Sequence, residues 1–163
     1  RAENGPVDDL AASVISLFDA TIEQVVALAV LMPIVAGMGG NAGSQTMTVT
    51  VRALATGDLG TYNAGRIIRR EIGVGLLNGL VFAALIGLTA GVWFDSVTIG
   101  GIIAAAMIIN MFVAALAGIL IPLLLNRLGI DPAVASSVFL TAVTDVVGFC
   151  AFLGLATWWF GLL

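Results

Sequence analysis

The stretch from Ala133 to Leu163, AVASSVFLTAVTDVVGFCAFLGLATWWFGLL, carries a single charge, Asp145. As a helix rising about 1.5 Å per residue, it sets Asp145 roughly 18 Å from Ala133 and roughly 20 Å from the Trp158-Trp159 pair. Such a helix can cross a hydrocarbon core about 30 Å thick, with the carboxylate near the midplane. A charge at that depth is costly, so its default reading is a functional site turned to a cavity or a partner helix. The plainer alternative is a structural hydrogen bond between helices.

The rest of the chain has the same character. It is 60% apolar and only 10% charged, against about 25% charged in a soluble domain. Long apolar runs account for the difference, at about 25–55, 72–94, 99–125 and 133–163. Each is long enough to span a bilayer, and the absence of barrel-like alternation makes them helices. Residues 10–18 are apolar but too short to span, so they read as part of a first membrane helix or as an interfacial helix. Asp19 to Glu23 reads as a turn with Thr21 as N-cap. Arg1 to Asp9 is polar and unlike the start of a signal peptide; it reads as a linker or boundary before a single membrane domain at 10–163.

The six basic residues are all arginine, against ten acids. This balance argues against nucleic-acid binding. With no histidine, imidazole metal sites and histidine catalysis are excluded. The one cysteine, Cys150, cannot form an intrachain disulfide, and in its apolar run it is expected to be buried. No nucleophile–base pair appears, and Gly37–Gly43 lacks the lysine end of a phosphate-binding loop. The chain is not expected to be an enzyme.

Charge also orients the spans. Arg52, Arg66, Arg69, Arg70 and Arg127 gather at one set of ends, whereas Asp19, Glu23 and Asp95 mark the other. The positive-inside rule makes the arginine loops cytoplasmic and the C-terminus external, with Trp93-Phe94 and Trp158-Trp159 as external interface anchors. The acidic external face would attract cations weakly, or is simply a solvated loop surface.

Two constellations carry the chemistry. Thr141 and Gly148 lie four before and three after Asp145, on its face of a helix, with Ser137 two turns below. Thr144 reads as bonding its own backbone. The second constellation is Pro33-Ile34-Val35-Ala36-Gly37-Met38-Gly39-Gly40-Asn41-Ala42-Gly43-Ser44-Gln45. Here Pro33 is expected to kink or open the helix, and the glycines admit a close neighbour or an ion. Beyond them Asn41, Gln45, Thr48 and Arg52 make one polar stripe, read as a pore wall, with glycine-mediated packing as the alternative. The pairs Gly75–Gly79 and Gly87–Gly91 read as helix-packing positions, and Asn110 as an interhelical hydrogen bonder. An all-oxygen donor set favours a hard cation. One carboxylate per chain suits a hydrated magnesium ion better than a caged calcium, although a proton-coupled or sodium site is also compatible.

These two motifs, together with Arg52-Ala53-Leu54-Ala55, Asp131-Pro132-Ala133, Ser136, Thr141 and Asp145, resemble the MgtE family of magnesium transporters, in their second and fifth membrane helices. The resemblance covers roughly Phe18 to the C-terminus. It implies an all-α integral membrane protein with five helices per chain, the first incomplete here. It further implies a homodimeric pore lined by the second and fifth helices, and passive Mg2+ transport across a bacterial inner membrane. Asp145 of both chains would hold the hydrated ion, and Asp131 would be an acidic residue at the cytoplasmic mouth associated with regulatory magnesium. Asn41 and Gly37 would face the pore. Cytosolic regulatory domains accompany this part in full-length members, and the chain is expected to be the pore domain without them. The chain departs from the family at Ser136-Ser137-Val138, where a proline is usual near Val138, so no helix break carries over to that point. The alternatives are a proton-coupled divalent-cation exchanger and a non-conducting structural membrane domain.

Overall fold

A computed structural model describes residues 6–16, 26–57 and 64–161. The expected turn at Asp19–Glu23 and the Thr21 cap lie outside these residues. Among the described residues the chain is all helical: α1 (Pro6–Ser16), α2 (Val26–Ala55), α3 (Ala64–Trp93), α4 (Val97–Arg127) and α5 (Pro132–Phe160). The last four are long and apolar enough to cross a membrane. At about 1.5 Å per residue, α1 reaches only about 16 Å. It starts at Pro6 rather than Leu10 and packs on α5.

Helix ends follow local chemistry. Ser96 caps α4, its side chain accepting from the Ile99 N–H, and Asp131 caps α5 by accepting from the Ala133 N–H, with Pro132 in the first turn. Gly161, with φ of 65°, closes α5 in the left-handed conformation. Helix α3 begins eight residues before the apolar run at Ile72, because Arg66, Arg69, Arg70 and Glu71 are themselves good helix formers.

The central helix is α4, which packs against α2, α3 and α5. Glycines set the approaches. A Cβ at Gly118 of α4 would lie 2.7 Å from the Gly43 carbonyl oxygen of α2, and one at Gly87 would lie 2.9 Å from the Gly100 carbonyl oxygen. The expected packing roles of Gly75, Gly79, Gly87 and Gly91 are met: these glycines face Ala115, Met111, Ala104 and Gly100 of α4. Pairing of Gly39 with Asn110 and Gly43 with Ala114 makes α2 parallel to α4; Gly75 with Ala115 and Gly87 with Ala104 make α3 antiparallel. Toward one end a core of Leu28, Val35, Ile103, Phe152 and Leu153 is fully buried.

Three expectations need correction. Helix α2 runs unbroken through Pro33 and the glycines, so it does not open there. Pro33 is exposed, so its ring can point away from the packed faces, and the glycines are used at helix contacts. Gly148 turns inward, with Ala36 and Asn110 so close that only a glycine fits between them. Cys150 is exposed rather than buried, because the packed face of α5 is the row Leu140, Thr144, Gly148 and Phe152.

Candidate cation site

Helices α2 and α5 meet along a defined row. A Cβ at Gly148 would reach Ala36, one at Gly40 would reach the Thr144 hydroxyl at 3.7 Å, and one at Gly43 would meet Leu140 at 2.8 Å. Numbers rise on one helix as they fall on the other, so the pair is antiparallel. In such a pair, residues about 60–100° past the contact row on each right-handed helix turn to the same side. This puts Gly37, Asn41 and Thr48 of α2 on the side of Thr141 and Asp145 of α5. Gly37, Asn41, Thr48 and Thr141 are exposed on that side, and Asp145 is half-buried. Asp145 falls between the Thr144–Gly40 and Gly148–Ala36 contacts, so Gly37 and Asn41 bracket it in depth.

The hydroxyls on this face are anchored to their own helices. Thr141 Oγ1 donates to the Ser137 carbonyl at 3.0 Å, and Thr48 Oγ1 to the Ser44 carbonyl at 2.8 Å. Each hydroxyl oxygen, having donated its one hydrogen, keeps its acceptor lone pairs. Thr144 does what its position suggests, donating to the Leu140 and Thr141 carbonyls, both at 3.1 Å, while fully buried. Ser137 is exposed. Its neighbour Ser136 is fully buried, and Ser136 Oγ has no hydrogen-bond partner.

Behind this face sits Asn110, fully buried where α2, α4 and α5 meet. Its Nδ2 donates to the Val35 carbonyl at 2.8 Å, the interhelical bond expected of it, while Oδ1 has no partner. Gly39 and Gly148 cradle the amide from either side; a Cβ at Gly148 would lie 2.8 Å from Nδ2. The cradle ties α2 to α4 one turn from Asp145.

Other predicted residues are not brought together. Asp131 lies fourteen positions before Asp145, about 21 Å along α5; it is exposed, and one carboxylate oxygen accepts from the Ala133 N–H at 2.9 Å. Gln45 is exposed but turns toward α3. With Asn41 it lines a crevice of about 510 Å³ between α2 and α3, whose far wall carries Glu71 and Asn78. Sequence reading passed over both of these. They lie seven apart on one face of α3, a spacing that could have revealed them. Among the described residues no cluster of three or more acids, cysteines or histidines could hold a bare metal ion.

The profile of one protein family, MgtE, described as a divalent cation transporter, matches residues 32–155. The chain belongs to the MgtE family. This family consists of transporters rather than enzymes. Three curated MgtE proteins, each called a magnesium transporter, are similar to it. The one from Enterococcus faecalis is 39% identical over 90% of this chain and 32% of its own length. The one from Thermus thermophilus is 37% identical over 88% and 32%, and that from Bacillus subtilis is 32% identical over 91% and 33%. The chain thus spans about a third of the length of these MgtE relatives. The profile match takes in the α2 glycine motif, Asn110, Asp131 and Asp145.

Proposed function

We propose that this chain is the pore-forming part of a magnesium channel of the bacterial inner membrane. Two copies would bring their α2–α5 faces together, and a hydrated Mg2+ would sit between the Asp145 carboxylates of both. The observation that carries this reading is the shared face of α2 and α5. Gly37, Asn41, Thr48, Thr141 and half-buried Asp145 lie on it at membrane depth, a surface of small and polar residues with an ionisable group that suits a cavity or a partner helix rather than lipid. A second copy and a file of water would cover them.

The chemistry follows from the charge count. Two carboxylates across a two-fold axis neutralise one divalent ion without stripping its waters, and the hydroxyl and amide oxygens accept hydrogen bonds from those waters. The arginine-flanked ends of α2, α3 and α4 face the cytoplasm, and the C-terminus faces outward. An inward-negative potential then drives uptake with about 4.6 kcal/mol per 100 mV for a divalent ion, so no coupling ion is needed. Asp131, at the cytoplasmic end of α5, is the acidic mouth and a candidate for regulatory magnesium. The longer relatives leave room for cytosolic regulatory domains in the full-length protein.

The test is Mg2+ uptake into proteoliposomes at fixed membrane potential, with and without a pH gradient. Uptake without the gradient, abolished in Asp145→Ala, supports the channel. Uptake that requires the gradient supports the proton-coupled exchanger instead. Uptake unchanged by Asp145→Ala would reduce the aspartate to a structural role.

A further inference from the structure

The crevice between α2 and α3 sets several polar side chains into an otherwise apolar lining at membrane depth. Its volume is about 510 Å³, and Asn41, Gln45, Glu71 and Asn78 all line it. Their depths follow from the packing on α4. Gly75 and Gly79 of α3 face Ala115 and Met111, while Gly39 and Gly43 of α2 face Asn110 and Ala114. Asn78 is therefore level with Asn41 and hence with Asp145. Gln45 lies one turn nearer the arginine-rich end, and Glu71 about 10 Å nearer that end than Asn78. The four side chains form a ladder of oxygen donors from the depth of Asp145 to a carboxylate. Asn41 stands at the edge between this crevice and the Asp145 face.

A simpler use for Glu71 would be a salt bridge to the arginines beside it. Among the described residues none forms: Arg69 Nε instead donates to the Gly65 carbonyl at 3.2 Å. Asn78 is exposed in the middle of α3, a position lipid tolerates poorly unless water or an ion reaches it. Six waters at about 30 Å³ each leave ample room for a fully hydrated ion in this volume. A carboxylate disfavours anions. Apolar side chains such as Val49, Val74, Phe82 and Met111 complete the lining, but an apolar guest would leave the Glu71 charge and the amides desolvated without partners.

We propose that this crevice is a second cation site, separate from Asp145. It holds a hydrated divalent cation with Glu71 as its charge partner, while the amide oxygens of Asn41, Gln45 and Asn78 accept hydrogen bonds from the ion's waters. Naming the ion as magnesium rests on the transport reading above; the site itself does not. Its place, on the cytoplasmic side of Asp145, makes it a receiving site for an ion leaving the midplane.

The probe is Mn2+, titrated into the purified chain in detergent, with the free ion counted by its electron paramagnetic resonance signal. The comparison is between Asp145→Asn alone and Asp145→Asn combined with Glu71→Gln, each checked for a monodisperse elution profile. The expected result is that Asp145→Asn retains a class of bound Mn2+ that Glu71→Gln weakens at least about tenfold, since carboxylate count sets divalent affinity. Identical titrations of the two proteins would overturn the proposal. Should Glu71→Gln aggregate, Asn78→Leu on the exposed face of α3 reads the same site: several-fold weaker binding supports it, and unchanged binding overturns it. Magnesium flux is read separately. Persistent flux in Asp145→Asn would remove the transport reading while leaving a Glu71-dependent Mn2+ site standing.

Discussion

Alanine at Gly118 and alanine at Gly101 should shift stability in opposite directions, although both lie on α4. At Gly118 the new Cβ would sit 2.7 Å from the Gly43 carbonyl oxygen and 3.0 Å from the Met47 nitrogen. Ordinary contact begins near 3.4 Å, a deficit of about 0.7 Å against backbone that cannot rotate away. Helix α2 must retreat, and overpacking of this kind costs about 1–3 kcal/mol. At Gly101 nothing lies within 4 Å of the new Cβ, so alanine should stabilise the helix by about 0.5–1 kcal/mol. A separation of about 2–3 kcal/mol, at roughly 2–4 °C per kcal/mol for a chain of this size, gives about 5–10 °C between the variants. Thermal unfolding in detergent, followed by tryptophan fluorescence, measures it. Because α2 also carries Gly37 and Asn41, Gly118→Ala should lower magnesium flux while Gly101→Ala leaves it unchanged. Equal melting temperatures, or a Gly118→Ala protein more stable than the parent, would refute the α2–α4 contact.

Two further outcomes follow from the same geometry. Asp131→Ala should lose about 1 kcal/mol through its helix cap, while Asp131→Asn keeps the cap and removes only the charge; melting curves and Mg2+ uptake into proteoliposomes separate the two roles. Gly39→Ala should be strongly destabilising because its methyl collides with the Asn110 amide, and it should be partly rescued by Asn110→Ala. A double-mutant cycle should return a coupling of at least about 0.5 kcal/mol, and additivity would contradict the cradle.

Much of this architecture is legible in the residues, and the gaps have physical causes. The four spans stand out because apolar runs of this length have few other uses, and Asn110 and Thr144 behave as isolated polar groups in apolar helices must. Hydropathy marks depth rather than helix, which is why α3 extends eight residues beyond its apolar run, through arginines and a glutamate that favour helix. Which side of α5 faces inward was not legible. The helix is apolar all round, so periodicity does not distinguish Gly148 from Cys150; glycine packing on Asn110 and Ala36 makes that choice. The site was half legible. Asp145, Thr141, Gly37, Asn41 and Thr48 do share a side, but Gln45 turns to α3. Glu71 escaped notice because it sits next to Arg69 and Arg70 and reads as part of a charged loop, whereas α3 carries it into the crevice wall.

The central claim is that the Asp145 charge holds the ion during permeation. Asp145→Asn keeps the shape and hydrogen-bonding capacity of the side chain and removes only that charge. In proteoliposomes at a fixed inward-negative potential and no pH gradient, the unaltered chain should take up Mg2+ with saturation. The asparagine variant, folded and equally abundant in the membrane, should lose at least about tenfold of that uptake, or about 1.4 kcal/mol. Uptake by Asp145→Asn equal to that of the parent would contradict the account.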